Sequence, residues 1–226
     1  MTALTQAIDN TKKRLSSAAL ASGRDPAAVQ LIAVSKTRPA SDIRLAFEHG
    51  QKLFGESYLQ EAVEKIRALE DCAIEWHFIG PIQSNKTRQI ASHFDWVHSV
   101  DRLKIAQRLS EQRPPQLPPL NICLQVNISH ETSKSGLAPA ELLTMATTIA
   151  GLPRIRLRGL MAIPARTNDR ELQLQTFSAV ATLQQQLIEQ GLELDTLSMG
   201  MSDDLEAAIE AGATHVRVGS AIFGAR

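Results

Sequence analysis

The residue with the most distinctive chemistry is Lys36, which ends the run Leu31-Ile32-Ala33-Val34-Ser35-Lys36. Four apolar residues followed by Ser-Lys predict a short strand buried on both faces, the kind found in parallel sheets covered by helices. Side chains alternate along a strand, so Ile32, Val34 and Lys36 share a face and an ammonium closes a row of hydrocarbon. Two readings follow. The amine can snorkel to water above a buried stem. Alternatively, an apolar setting lowers its pKa and leaves a free amine able to attack a carbonyl and form a Schiff base.

Two later segments could hold an anion. Met199-Gly200-Met201-Ser202 and Gly219-Ser220 each close a short apolar segment. Glycines let backbone approach an anion, the hydroxyls of Ser202 and Ser220 can donate, and N–H groups at a helix start add a favourable dipole. The alternative is an ordinary turn, with Ser202 capping a helix that begins at Asp203-Asp204. Arg217 lies between Val216 and Val218 in a segment that should be buried, where a guanidinium needs an anion or an acceptor. Glu56 is a candidate carboxylate partner for it. A phosphate-bearing ligand beside a strand-end lysine suggests pyridoxal phosphate or a sugar phosphate of the aldolase kind. Other segments weigh less: Ser84-Asn85-Lys86-Thr87-Arg88 reads as a capped first helical turn, and Lys134-Ser135-Gly136 lacks the spacing of a phosphate-binding loop.

Positioning these groups falls to an alternation of strands and helices. Leu4, Ile8, Thr11 and Leu15 predict an amphipathic helix to about Ala21, stopped by Gly23 and Pro26, ahead of the first strand. Further strands are predicted at 52–57, 75–80, 95–100, 120–126, 155–163, 196–200 and 215–220. Helices are predicted from about Ser41 to His49, Tyr58 to Leu69, beyond Ser84 or Asn85 as cap, from about Asp101, near Pro139, from Asp169 to Gln190 and from Asp203 to Ala211, with a short tail to Arg226. Eight strands at near-regular spacing without a linker predict an α/β fold, a (β/α)8 TIM barrel with an extra N-terminal helix, as one domain over residues 1–226. An open doubly wound sheet is the alternative, although no Gly-x-Gly-x-x-Gly follows a strand. In such a barrel, reactive groups collect at the strand carboxyl ends and a phosphate often sits after strands seven and eight.

Composition narrows the partners. Lys+Arg and Asp+Glu are both 24, so no overall positive field points to nucleic acid or an anionic membrane. The first residues lack a signal-peptide pattern and no apolar run approaches a membrane span, so a cytoplasmic protein is expected. Cys72 and Cys123 give neither a disulfide framework nor a metal spacing, and the six histidines form no ligand motif. No metal is expected.

Several blocks together resemble the pyridoxal phosphate homeostasis protein family. They are Val34-Ser35-Lys36-Thr37, Phe54-Gly55-Glu56-Ser57-Tyr58, His77 to Lys86, Ser133-Lys134-Ser135-Gly136, Gly159 to Ile163, Ser198 to Asp204 and Val216-Arg217-Val218-Gly219-Ser220 with Ile222-Phe223-Gly224. The resemblance runs from about residue 30 onward. It implies a fold-type III barrel like the amino-terminal domain of alanine racemase, with pyridoxal 5′-phosphate held by Lys36 as a Schiff base. Ser202, Gly219 and Ser220 match the phosphate-binding positions, Met199 and Gly200 belong to the same cofactor-binding loop, and Arg217 matches the cation near the cofactor's phosphate or ring nitrogen. Ser57 stands where the family usually has Asn, so that amide contact is lost or bridged by water.

The implied function is intracellular pyridoxal phosphate homeostasis by a monomer, with no established turnover, no catalytic residue assigned and pyridoxal phosphate-dependent apoenzymes as candidate recipients. The alternative is a racemase-like pyridoxal phosphate enzyme acting on amino acids. In alanine racemase a second face of the substrate is served by a tyrosine from a carboxyl-terminal β-domain. Here the chain ends with the barrel and its only tyrosine is Tyr58, so stereochemically controlled turnover is not expected.

Overall fold

In the computed structural model, which describes residues 2–129 and 135–224, eight parallel strands close into a barrel. They are β1 (Gln30–Val34), β2 (Leu53–Glu56), β3 (Glu75–Phe78), β4 (Trp96–Val100), β5 (Leu120–Val126), β6 (Ile155–Ala162), β7 (Thr196–Ser198) and β8 (His215–Val218). A long helix, α1 (Ala3–Ala21), and a 3-10 turn over Pro26–Ala28 precede β1. The strands are then followed in turn by α2 (Ala40–Glu48), α3 (Leu59–Ala68), α4 (Thr87–His93), α5 (Leu103–Gln112), α6 (Leu142–Ala150), α7 (Arg170–Glu189), α8 (Leu205–Glu210) and α9 (Ser220–Phe223). Neighbours in sequence are neighbours in the sheet, and β8 returns to β1 with Ile32 opposite Arg217 and Ala33 opposite Val218. That closure rules out the open sheet. It also brings every strand's carboxyl end to one rim.

Hydrophobic pattern explains the layers. Leu31, Ile32 and Ala33 are all buried, as a strand packed on both faces requires. Helix α1 buries Ile8, Leu15, Ala18 and Ala19 and packs on α2, α8 and α9. Large buried side chains are worth roughly 1.5–3 kcal/mol each. A capping box sets its start: Thr5 N donates to Thr2 Oγ1 at 3.2 Å and Thr2 N to Thr5 Oγ1 at 2.9 Å.

Two local expectations change. Neither Ser84 nor Asn85 caps a helix, because residues 84–86 form a 3-10 turn and no side-chain cap bond precedes it or α4. The Ser84 carbonyl is used instead, accepting from Thr87 Oγ1 at 2.9 Å and Arg108 Nε at 2.9 Å. The expected carboxyl-terminal tail begins as α9. Ser133 and Lys134 of the Ser133-to-Gly136 block, His130 and Arg226 lie outside the described residues. Among the described residues both cysteines are free, no cluster of His, Cys, Asp and Glu could hold a metal, and no helix is long and apolar enough to cross a membrane.

The barrel interior is less apolar than the outer layer. Trp96, Cys123 and Met161 form a small cluster of their own. Around it meet imidazoles from three strands, with ring centroids 5.1 Å apart for His77 and His98 and 5.3 Å for Trp96 and His215. Burial, reinforced by His77, pushes the His215 imidazole down to about 3. The unfolded chain takes up this proton below about 6.5, whereas the folded protein resists until far lower pH. Stability linked to His215 is therefore complete above about 6.5 and falls as pH drops below it. Urea unfolding at pH 7 and pH 5 should show wild type losing about 2 kcal/mol more than His215→Met over this interval; equal losses would contradict the assignment.

Candidate functional site

Lys36 stands in a turn held from below by buried polar groups. Ser35 N donates to Gly55 O at 3.0 Å, and Ser35 Oγ donates to Glu56 Oε1 at 2.7 Å. Lys65, from α3, sends its ammonium under the turn to Ser35 O and Glu56 Oε1, both at 2.8 Å, and also to Glu61. Glu61 Oε1 in turn accepts from Thr37 N at 2.5 Å, which fixes the positive φ of 65° at Thr37. The backbone on both sides of Lys36 is thereby anchored. Burial pushes the Glu56 carboxyl up while Lys65 pulls it down, and Glu56 Oε2 has no hydrogen-bond partner among the described residues.

The loop after β7 is braced from the far side. Arg14 of α1 donates from Nη1 to Ser202 O at 2.8 Å and pairs with Glu206 through Nη2 at 2.6 Å. Within the loop, Met201 N donates to Asp204 Oδ1 at 2.6 Å. Helix α8 starts at Leu205 with no side-chain cap, so Ser202 is not spent as a cap. Gly219 follows β8 and lies close to β1, where an added Cβ would meet Val34 O and Val34 Cβ at 3.3 Å.

These elements enclose one cavity of about 430 Å³ at the carboxyl rim of the barrel. Its wall includes Lys36, Ser57, Ser202, Arg217, Gly219 and Ser220, six of the eight residues singled out from sequence. Met199 and Gly200 lie outside that wall. Met199 is fully buried in the core, and Gly200, at φ +90°, packs so close to α8 that a Cβ would sit 2.5 Å from Ala208 Cβ. Gly200 O accepts from Arg217 N at 3.0 Å. Their contribution is to the shape of the loop and the seat of Arg217.

Arg217 does not pair with Glu56, which is committed to Lys65 and Ser35. Its Nη1 donates to Ser198 Oγ at 2.7 Å and its Nη2 to Ala162 O at 2.9 Å. Burial pushes the guanidinium down to about 10, opposed by Asp204, and it stays charged at neutral pH. The cavity also holds Arg38, Arg166 and the carboxylate of Asp203, which sequence reasoning did not single out. Arg38 was visible beside Lys36 in Lys36-Thr37-Arg38; Arg166 and Lys65 carried no pattern, since a loop cation and a helical lysine are ordinarily solvated.

The chemistry of the donor set suits a phosphorylated aldehyde: a primary amine at one wall, two hydroxyls and a close-packed glycine at another, and a buried guanidinium between strands. A family model described as alanine racemase, N-terminal domain, matches residues 7–226. The pyridoxal phosphate homeostasis protein of Pseudomonas aeruginosa is 60% identical over 226 residues, covering 100% of this chain and 97% of that one.

This chain belongs to the pyridoxal phosphate homeostasis protein family.

Among solved structures, PipY of Synechococcus elongatus with pyridoxal phosphate bound is similar at a TM-score of 0.83 and 40% identity, covering 94% of this chain and 99% of that one. Alanine racemase of Clostridium difficile shares the fold at a TM-score of 0.73 and 14% identity, covering 88% of this chain and 55% of that one. The homeostasis protein family thus has the barrel of the racemases at low sequence identity.

Lys65 gives the site a direct stability test. Replacing it with Met strands Glu56 and Glu61 beside a buried apolar group and should cost about 3 kcal/mol in urea unfolding. Adding Glu56→Gln should recover part of that loss. A change within about 0.5 kcal/mol for Lys65→Met would show that the turn does not depend on this ammonium.

Proposed function

We propose that this protein binds pyridoxal 5′-phosphate through a Schiff base at Lys36 and takes part in pyridoxal phosphate homeostasis rather than in amino-acid turnover. The observation that carries this reading is that Lys36 and the Ser202, Gly219 and Ser220 positions face one cavity of about 430 Å³. A single ligand with an aldehyde and a phosphate can engage both walls. When bound, the cofactor supplies an aldehyde that condenses with a primary amine, with loss of one water. Lys36 provides the amine, Ser202 and Ser220 the hydroxyl donors, Gly219 the close backbone, Arg217 the cation and Ser57 a short polar contact. Met199 and Gly200 shape the loop behind them.

The relatives support the same reading. One is named a pyridoxal phosphate homeostasis protein and a structural neighbour holds pyridoxal phosphate. Racemisation calls for proton-transfer groups on both faces of a planar adduct. Among the described residues the cavity wall contains no tyrosine, histidine or cysteine, and Tyr58 is 49% exposed and outside that wall. Holding a reactive aldehyde as an imine keeps it from other amines and keeps the free cofactor low. The protein is taken to act as a cytoplasmic monomer formed by one barrel domain, with pyridoxal phosphate-dependent apoenzymes as recipients.

Titrating the protein with pyridoxal 5′-phosphate should produce the visible absorbance of a lysine imine. Lys36→Ala should abolish that band and weaken binding by at least about tenfold. An unchanged band in Lys36→Ala would overturn the assignment.

A further inference from the structure

From Arg217 in the cavity wall, a line of polar groups runs through the barrel interior. Arg217 Nη1 lies 2.7 Å from Ser198 Oγ, Ser198 Oγ 2.8 Å from His98 Nδ1, His98 Nε2 2.9 Å from His77 Nδ1, and His77 Nε2 2.9 Å from Glu75 Oε1. His77, His98 and Ser198 are fully buried, and Arg217 nearly so. The line crosses the barrel through β8, β7, β4 and β3 and ends on Glu75, the first residue of β3. Glu75 therefore sits at the rim opposite the cavity, with its side chain 44% exposed.

With both imidazoles neutral, the two ends fix every proton between them. A guanidinium has donors only, so Ser198 Oγ accepts from Arg217; at the other end the Glu75 carboxylate only accepts, so a neutral His77 donates from Nε2 and leaves Nδ1 as an acceptor, which sends the Ser198 hydrogen to His98 Nδ1. The His98 proton must then sit on Nε2, from which it is donated to His77 Nδ1. His77 in turn carries its proton on Nε2 and donates it to the Glu75 carboxylate. All four bonds run one way. A chain of this sense polarises each successive bond and strengthens it in a low-dielectric interior.

We propose that Ser198, His98 and His77 are positioning residues for Arg217, forming a one-way hydrogen-bond chain that makes the cavity's hold on its ligand depend on Glu75 at the opposite rim. The proposal rests on reading the cavity as the pyridoxal phosphate site. Independent physical support comes from His98, which the chain needs in its neutral form. Burial, with His77, His215 and Arg217 nearby, pushes the His98 imidazole well below its ordinary value. At the other end, the hydrogen bond from His77 holds the Glu75 carboxyl below its ordinary value, so it stays an acceptor at neutral pH. Nη2 of Arg217 is spent on Ala162 O, leaving Ser198 as the side chain that sets the guanidinium's orientation.

The test combines ring-nitrogen NMR of the full-length protein with pyridoxal 5′-phosphate titration. In wild type at neutral pH, both His77 and His98 should be neutral with the proton on Nε2. Glu75→Ala should shift the ring nitrogens of His98 as well as those of His77, and weaken cofactor binding roughly threefold. His98→Phe should weaken binding by roughly tenfold, the scale of one hydrogen bond to a charged group, while His98→Gln, which can accept and donate in the same sense, should restore most of it. A merely structural role would lower the melting temperature without moving the His98 nitrogens in Glu75→Ala and without rescue by glutamine. A protonated or Nδ1-H imidazole at either position, unmoved His98 nitrogens in Glu75→Ala, or unaltered affinity in His98→Phe would overturn the proposal. If wild type bound no cofactor, the function reading would fall, and the ring nitrogens, which need no ligand, would still decide whether the chain exists.

Discussion

The pairing of the last strand with the first is the constraint on which the rest of the structure depends. Ile32 opposite Arg217 and Ala33 opposite Val218 fix the height at which β1 and β8 leave the sheet. Two residues beyond β1 comes Lys36, and immediately beyond β8 come Gly219 and Ser220. A slip by one residue would turn every alternate side chain to the other face and take the amine away from the donors. The absence of a Cβ at Gly219 lets the β8 loop lie against Val34 at that register.

Closure brings the groups together, and polar anchors behind the cavity keep them still. Lys65 reaches the Ser35 carbonyl and the two carboxylates flanking the Lys36 turn, so the amine-bearing loop is tied to α3 rather than left as a free surface loop. Arg14 does the same for the Ser202 carbonyl from α1, which gives the extra N-terminal helix a role at the site as well as in packing. Both anchors act on backbone oxygens. They set loop position without occupying the side chains that line the cavity.

Much of this was legible in the chain because it depends on local pattern. Short apolar runs ending in Ser-Lys, Gly-Met-Ser or Gly-Ser announce buried strands with polar carboxyl ends, and regular spacing of eight such runs announces a barrel. Six residues read as candidates do line one cavity. What was not legible depends on partners distant in sequence. Arg217 needed an acceptor, but nothing in the sequence distinguished Ser198 from Glu56 as that partner; only the register of β7, β8 and β1 does. Lys65 gave no signal, because a buried lysine on a helix reads like an exposed one until its carboxylates are placed. Met199 and Gly200 share a loop with Ser202, but Met199 is buried in the core and Gly200 packs on α8, and neither lines the cavity.

The central claim is that one particular amine meets an aldehyde whose phosphate is held across the cavity. The sequence has eight lysines, and surface amines also react with aldehydes, so the identity of the modified residue is what matters. The most direct measurement is borohydride reduction of the protein mixed with pyridoxal 5′-phosphate, followed by digestion and mass mapping of the modified peptide. The mass of one pyridoxyl group on the peptide carrying Lys36 is the expected result. Modification at Lys65 or Lys86 in place of Lys36, or no stable modification, would contradict it.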